Sequence, residues 1–358
     1  MYALDPASAL CWLSLDAADP QREALLALQE EAGLSPVAAE AWHAVALRQF
    51  AEAGLLEGTT PAEAAAPVTL PPPRADCHLP PLDAVVTLHG RLAGLAFTLA
   101  VPRDLAELAK GLLSSVLSDE AAADASPLML HHIDGTFLLA GPNRVLAETH
   151  PGLDAALAVE LLLVDLAIRR TPHLAALHAA LLGHGSAGLL ITGVSGAGKT
   201  TLSATLAASG WRYGGDERVL LSADATTVIP LPTAPCVKTG AVPALRRFFP
   251  ALDRAAEHPR AGRSVRYLNL PATEQSPMTV RAVVFPERTD AAVPALHEIA
   301  PLEGLRRLMN QCLRVPRGFG PAEVQRLLNW HDGITYLGLR YREAATAVPL
   351  LERLLTSS

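Results

Sequence analysis

A glycine-rich segment near the middle of the chain constrains its fold more than any other feature. Residues 188–201 read GLLITGVSGAGKTT, in which Gly193, Gly198, Lys199 and Thr200 fit the pattern G-x-x-x-x-G-K-[ST]. An apolar run precedes the pattern and a helix-compatible stretch follows it. That order of strand, loop and helix is the context in which such loops bind phosphate groups. The sequence therefore predicts a P-loop and a site for a nucleoside triphosphate.

Each part of this loop has a physical role in phosphate binding. The glycines at 193, 196 and 198 let the backbone turn tightly, so that its N–H groups point at phosphate oxygens. Lys199 adds a positive charge over the outer phosphates, and the hydroxyl of Thr200 can bind Mg²⁺. We therefore predict ATP and Mg²⁺ as cofactors. The loop residues expected to contact the nucleotide are Gly193, Ser195, Gly196, Ala197, Gly198, Lys199, Thr200 and Thr201.

The composition is typical of a globular protein. Of the 358 residues, 50% are hydrophobic and 18% are charged, which allows two or three domains with a sizeable core. A net charge of −7 without a long basic run argues against nucleic acid as the main partner. Four widely spaced cysteines indicate neither a disulfide framework nor a zinc site, and neither a signal peptide nor a bilayer-spanning stretch is recognised. We expect a cytoplasmic protein that binds neither nucleic acid nor membrane.

A proline-rich segment divides the chain, because prolines at this density favour extended backbone and cannot continue a helix or a central strand. Strands and helices alternate around the P-loop beyond it, which predicts an α/β fold with a mixed sheet and flanking helices. The predicted parts are a small helical module at 1–57, a linker at 58–82, an α+β region packed on the P-loop core at 83–172 and a P-loop catalytic domain at 173–358.

The acidic pair Asp216-Glu217 is the next candidate for chemistry. It follows the predicted P-loop helix and a short strand, and such strand ends carry metal ligands and general bases in P-loop folds. One carboxylate would accept the proton of an attacking hydroxyl while the other helps to hold Mg²⁺. An acidic turn between two strands, with no catalytic role, is the alternative. Asp165 also follows an apolar run, but we interpret it as a solvent-facing residue of an amphipathic helix.

The motifs of GTPases and of ABC-type ATPases are missing. The chain resembles another class of P-loop protein more closely. Residues 178–182, 188–202 and 210–217 resemble the catalytic domain of HPr kinase/phosphorylase. They are more similar still to the HPr-kinase-related kinases of peptide- and polysaccharide-biosynthesis gene clusters. The match extends over about residues 85–355, with further similar segments at 232–238, 265–271 and 283–286. It implies a phosphoenolpyruvate-carboxykinase-like P-loop fold whose product is a phosphorylated hydroxyl.

The resemblance also implies residue roles. Asp216 would be the base for the acceptor hydroxyl, and Glu217 would be the second acidic residue and, with Thr200, a ligand of Mg²⁺. His178 would lie beside the phosphates. Without the resemblance, a histidine on an Ala/Leu helix would be interpreted as a packed or surface residue. Lys238 would join Lys199 in stabilising the charge of the transferring phosphoryl group. The glycine-rich stretch that HPr kinases use for phosphorolysis is not recognisable, so HPr is not expected as the acceptor.

Residues 1–57 resemble a PqqD-type winged-helix module. The similar segments are residues 4–5, 9–13 and 47–56. Such modules bind leader peptides as an added β-strand, so the resemblance implies a peptide partner. A plain helical cap on the kinase core is the alternative.

The sequence favours an ATP-dependent kinase that phosphorylates a Ser/Thr hydroxyl of a biosynthetic peptide docked by the N-terminal module. A small-molecule hydroxyl kinase of the same fold and a non-catalytic, nucleotide-gated peptide-binding protein are the alternatives. The resemblance also allows a homo-oligomer.

Overall fold

The structure is a computed structural model that divides into two units, Met1–Thr69 and Leu70–Ser358. The first unit contains the helix α1, Pro20–Glu30, which buries Ala24 and Leu28. Most of the predicted module and linker, at 1–57 and 58–82, lies outside the described residues. Those residues are 19–30, 36, 39–40, 43–44, 46–47, 79–82, 84–149, 152–193, 196–260, 263–270, 273–290, 293–315 and 319–356.

The second unit is a mixed α/β structure. Its strands are β1 Val85–Leu92, β2 Leu95–Pro102, β3 Leu117–Ser118, β4 Ser126–Ile133, β5 Thr136–Ala140, β6 Val145–Glu148, β7 His173–Leu177, β8 Ala179–His184, β9 Ala187–Thr192, β10 Arg212–Gly215, β11 Val219–Ser222, β12 Val228–Ile229, β13 Cys236–Lys238, β14 His258–Arg260, β15 Arg263–Tyr267, β16 Val280–Arg288, β17 Ala295–Glu298, β18 Cys312–Arg314 and β19 Thr335–Tyr341. Its helices are α2 Ala106–Leu113, α3 Ala155–Arg170, α4 Lys199–Ala208, α5 Val242–Leu245, α6 Pro301–Met309, α7 Pro321–Asp332 and α8 Ala344–Thr356.

The first large sheet, in the order β3-β1-β2-β4-β5-β6, carries α2 and α3 on one face. Its strands pair antiparallel except for β2 with β4. The helix α3 begins where Asp154 Oδ1 accepts a hydrogen bond from the Ala156 N–H at 2.9 Å, an N-cap that satisfies one of the first N–H groups. The core beneath these helices also includes Leu220 and Leu231, so this region shares its core with the P-loop region.

The second large sheet, in the order β10-β8-β9-β16-β19-β17, positions the P-loop. Strand β9 is parallel to β16, and β16 is parallel to β19. Because β8 is antiparallel to both β9 and β10, the strand β10 runs in the same direction as β9. The carboxyl ends of β10, β9, β16 and β19 therefore lie at one edge of the sheet.

Helices cover both faces of this second sheet. Alternate residues of a strand point to opposite faces, so Leu189 and Leu190 of β9 belong to different core clusters. The Leu189 side packs against α4 and α8, and the Leu190 side packs against α6 and α7. The predicted fold class, an α/β structure with a mixed sheet and flanking helices, is confirmed at this level. No helix of the described residues has the length and apolar character needed to cross a membrane.

The segment that contains His178 differs from the sequence-based expectation. The composition around His178 predicts an Ala/Leu helix, because Ala and Leu are strong helix formers, but the chain forms the strands β7 and β8 on either side of His178. Both strands are buried in sheets, so tertiary packing overrides local propensity. Further along the chain, the helix α6 ends at Met309 and the strand β18 follows it at Cys312–Arg314.

Candidate active site

The P-loop connects the buried strand β9 to the helix α4, which begins at Lys199. Gly198 has a φ of +95°, a left-handed conformation that side chains rarely adopt. A Cβ at this position would also collide with the Tyr341 hydroxyl and lie 3.3 Å from Cδ of Arg288. Only glycine fits here, because the loop passes directly against the ends of β16 and β19. Ser195, a predicted nucleotide contact, lies outside the described residues.

Lys199 lies over the loop that precedes it. Its side chain is buried, and its ammonium donates a hydrogen bond to the Gly193 carbonyl oxygen at 2.6 Å. Burial is the main cause that lowers the pKa of Lys199, and the nearby charge of Lys238 acts in the same direction. The carboxylates of Glu217 and Asp216 oppose this effect. The ammonium is thus held within the field of both acidic residues, at the loop that the sequence assigns to phosphate.

The sheet brings His178 and Glu217 to the same edge as the P-loop. His178 precedes β8, whose first residue, Ala179, pairs with Thr192 at the end of β9. The Thr192 hydroxyl donates to the His178 carbonyl oxygen at 2.9 Å, which ties this junction to the start of the loop. His178 Nε2 lies 3.5 Å from Glu217 Oε2. The histidine and the second acidic residue are therefore neighbours.

Asp216 follows β10 and is only 4% exposed. The Tyr213 hydroxyl donates a hydrogen bond to Asp216 Oδ1 at 2.8 Å. Burial raises the pKa of Asp216 to about 7, with the charges of Glu217 and Glu160 acting in the same direction, while the hydroxyls of Tyr213 and Thr200 lower it. Asp216 Oδ2 is buried and has no hydrogen-bond partner in the described part of the chain. Asp216 is therefore a buried carboxyl with a raised pKa, and one of its oxygens lacks a hydrogen bond within the described residues.

A cavity of about 650 Å³ joins these residues. Lys238 of β13 contributes to its wall from the other side. The predicted site residues that line it are His178, Gly196, Gly198, Lys199, Thr200, Thr201, Asp216, Glu217 and Lys238. Gly193 and Ala197 are described but do not form part of this wall. The predicted catalytic residues therefore surround one space large enough for the phosphates of a nucleotide and an acceptor group.

Sequence reasoning missed several residues of this site. Arg288 lines the cavity from the carboxyl end of β16, and Tyr341 contacts the loop from the end of β19. Glu160, on α3, is 4% exposed and close enough to influence Asp216. Tyr213 lay inside the recognised segment, three residues before Asp216, and could have been noticed there. The others come from distant parts of the chain and could be found only once the strand order was known.

Asp165 and the candidate metal ligands can also be placed. Asp165 lies on α3, as expected, but its side chain is half-buried and pairs with Arg169 at 2.9 Å. Within the described ranges, no three His, Cys, Asp or Glu side chains come together as a metal site. The Thr200 hydroxyl and the Glu217 carboxylate both line the cavity. A hydroxyl and a carboxylate fit Mg²⁺, which usually takes only one or two protein carboxylates beside substrate phosphates and water.

Comparisons with known proteins give little beyond this geometry. No family model matches the chain, and no curated protein matches it. Among solved structures, the chain is similar to one described as "Structure of the Hpr(Ser) kinase/phosphatase from Coxiella burnetii", at 15% sequence identity. The similarity covers 51% of this chain and 94% of that chain, with a TM-score of 0.24. A similarity at this level carries no argument about function.

Proposed function

We propose that this protein is an ATP-dependent kinase that transfers the γ-phosphoryl group to a hydroxyl. One observation carries the proposal. A buried carboxyl, Asp216, with a pKa raised to about 7 and an unpartnered Oδ2, lies in the wall of the same cavity as the P-loop residues Lys199 and Thr200. A general base works best when its pKa is near the working pH, and an unpartnered buried oxygen can receive a proton. The resemblance of these segments to HPr-kinase-related kinases supports the same reaction.

In the proposed step, Asp216 in its carboxylate form accepts the proton of the acceptor hydroxyl. The hydroxyl oxygen forms a bond to the γ-phosphorus as the bond from that phosphorus to the bridging oxygen of ADP breaks. The products are a phosphate ester and ADP, and Asp216 then releases its proton to solvent. The Tyr213 hydrogen bond at 2.8 Å fixes the orientation of the carboxyl, so that Oδ2 is the oxygen left for the acceptor.

The remaining residues of the cavity handle charge. Lys199 and Lys238 offer positive charges to the γ-phosphoryl group. The backbone N–H groups of the loop bind the β-phosphate next to it. His178 Nε2 lies 3.5 Å from Glu217 Oε2, and in its imidazolium form the other ring N–H can donate a hydrogen bond to a phosphate oxygen. Thr200 and Glu217 would hold Mg²⁺, which neutralises phosphate charge when it is bound.

For the acceptor, we propose a Ser/Thr hydroxyl of a biosynthetic peptide that docks on residues 1–57. The resemblance of those residues to a peptide-docking module supports this. Deletion of residues 1–57 should then raise the KM for the peptide and leave kcat nearly unchanged. Equal turnover of the peptide and of free serine, threonine or a sugar by the full chain would instead favour a small-molecule kinase.

The test is the transfer of label from γ-labelled ATP with Mg²⁺ into an extract of the source organism. Asp216→Asn serves as the matched control, because the amide keeps the size of the side chain and can still accept the Tyr213 hydrogen bond. A labelled species that is absent with the variant supports the kinase and gives its acceptor for identification by mass spectrometry. Bound ATP without any labelled species would contradict it and favour a nucleotide-gated binding protein.

A further inference from the structure

The P-loop has two chemically different flanks along the sheet edge. The acidic flank, Asp216 and Glu217, follows β10, which lies two strands to one side of β9. The arginine flank, Arg288 and Tyr341, lies at the ends of β16 and β19 on the other side of β9. With strands about 4.8 Å apart, the ends of β10 and β16 are about 14 Å from each other. The loop lies between them.

This order gives a bound nucleotide a direction. Transfer requires the γ-phosphorus to face the acceptor hydroxyl, and the hydroxyl must lie against Asp216 to lose its proton. The loop backbone surrounds the phosphate next to it. The α-phosphate and the nucleoside must therefore leave the loop on the side away from Asp216, which is the side of β16 and β19.

Arg288 is the charged residue that lines the cavity on that side. Its side chain is exposed, and within the described ranges no carboxylate pairs with it. Its Cδ would be 3.3 Å from a Cβ at Gly198, so its methylene chain passes directly over the loop. A guanidinium can bind phosphate oxygens in a fork or stack on a base. An unpaired arginine next to a phosphate loop is suited to an anionic or aromatic ligand group.

Tyr341 lies beside Arg288 on the neighbouring strand. It pairs with Arg288 in the parallel register of β16 and β19, and it is 1% exposed. Its hydroxyl has no hydrogen-bond partner in the described part of the chain, although it faces Gly198. The Tyr341 hydroxyl therefore lies against the loop at Gly198, and Arg288 lies beside it on the neighbouring strand.

We propose that Arg288 binds the nucleoside monophosphate half of the bound nucleotide, so that it sets affinity and does not act on the transferring group. This rests on the proposed function, because the direction of the nucleotide follows from Asp216 as the base that faces the acceptor hydroxyl; the binding test itself needs no transfer. An arginine at the γ-phosphate would distinguish ATP from ADP, whereas one at the α-phosphate or base would bind both equally.

The test measures Kd for Mg-ATP and Mg-ADP with the full-length wild-type protein, Arg288→Ala, Arg288→Lys and the control Arg281→Ala. Arg281 is exposed at the opposite end of the same strand. We expect Arg288→Ala to raise both Kd values by the same factor, about 10-fold or more, because a charge-assisted hydrogen bond or a stacking contact to the ligand is lost. Arg288→Lys should recover part of the loss if a phosphate is bound and none if the base is stacked. Arg281→Ala should leave both values unchanged.

The outcomes separate this inference from the proposed function. A loss confined to ATP, or no loss with Arg288→Ala, overturns the inference while the kinase proposal stands. An equal loss of ATP and ADP in a protein that transfers no label supports the inference and contradicts the kinase. A wild-type protein that binds neither nucleotide contradicts both. Equal melting temperatures of Arg288→Ala and Arg281→Ala would show that a loss of affinity is not a loss of folding.

Discussion

The acidic flank and the arginine flank share one sheet edge and differ in where their charge lies. On the acidic flank the ionisable group, Asp216, is buried and bonded to Tyr213, which is itself fully buried. On the arginine flank the charge of Arg288 is exposed, and its strand neighbour Tyr341 is buried. One flank thus holds a carboxyl with an altered pKa, and the other holds a cation with solvent access.

This difference indicates how the two flanks contribute to function. A buried carboxyl has a pKa set by its surroundings, so its removal changes the reaction step. An exposed guanidinium gains its energy mainly from the ligand that it contacts, so its removal changes affinity. Substitutions on the acidic flank should therefore change kcat, and substitutions on the arginine flank should change the Kd for the nucleotide.

The largest expected effect is on the acidic flank. Asp216→Asn should lower kcat by about 10³-fold, because general bases contribute about 10²–10⁴-fold to a rate and the amide cannot accept a proton. The Kd for Mg-ATP should change by less than about 2-fold, because Asp216 faces the acceptor and not the nucleoside. Single-turnover transfer and equilibrium binding measure the two quantities. Normal turnover of the variant would remove Asp216 as the base.

The sequence predicted the acidic flank and not the arginine flank, for a topological reason. Lys199 and Asp216 belong to consecutive elements, β9, α4 and β10, so a local pattern contains both. Arg288 reaches the site only because β16 pairs in parallel with β9, a long-range contact that no local pattern encodes. The wrong helix around His178 has the opposite cause, because its composition is helical and its burial in two sheets is not visible locally.

Lys199 lies between the two flanks. Its substitution tests whether both flanks act on one bound nucleotide. Lys199→Ala should lower kcat/KM for ATP by about 10²-fold or more, because a positioned cation is lost from both binding and transfer. Lys110→Ala is the matched control, since Lys110 is an exposed lysine paired with Glu107 on α2. Steady-state kinetics with the identified acceptor would measure kcat/KM for ATP in both variants. An unchanged kcat/KM would mean that the cavity does not hold the phosphates, and the comparison of flanks would lose its basis.

The altered pKa of Asp216 also predicts a pH-dependent stability in buffer without Mg²⁺ or nucleotide. The folded protein keeps the Asp216 proton up to about pH 7, whereas an unfolded chain releases it near pH 4. The folded state therefore binds more protons in this window, and its free energy of unfolding falls as the pH rises from about 4 to 7.

Asp216→Asn lacks this titration. Its Tm should exceed that of the wild type by about 2 °C or more at pH 8, with a smaller difference at pH 5. Thermal unfolding of both proteins across this range measures the difference. A Tm difference that is constant with pH would mean that the pKa of Asp216 is not raised, and the acidic flank would lose the property that distinguishes it.

The smallest effects come from the two buried tyrosines, one on each flank. The hydroxyl of Tyr213 is bonded to Asp216, so Tyr213→Phe leaves Oδ1 without that donor and should destabilise the protein by about 1–3 kcal/mol. The hydroxyl of Tyr341 has no such partner, so Tyr341→Phe should be neutral or stabilising by about 1 kcal/mol. Denaturant unfolding of the two variants gives the comparison directly, because both remove one oxygen from a fully packed ring. Equal destabilisation by both substitutions would show that Tyr341 has a polar role beside the loop, and the arginine flank would then be a bonded site like the acidic one.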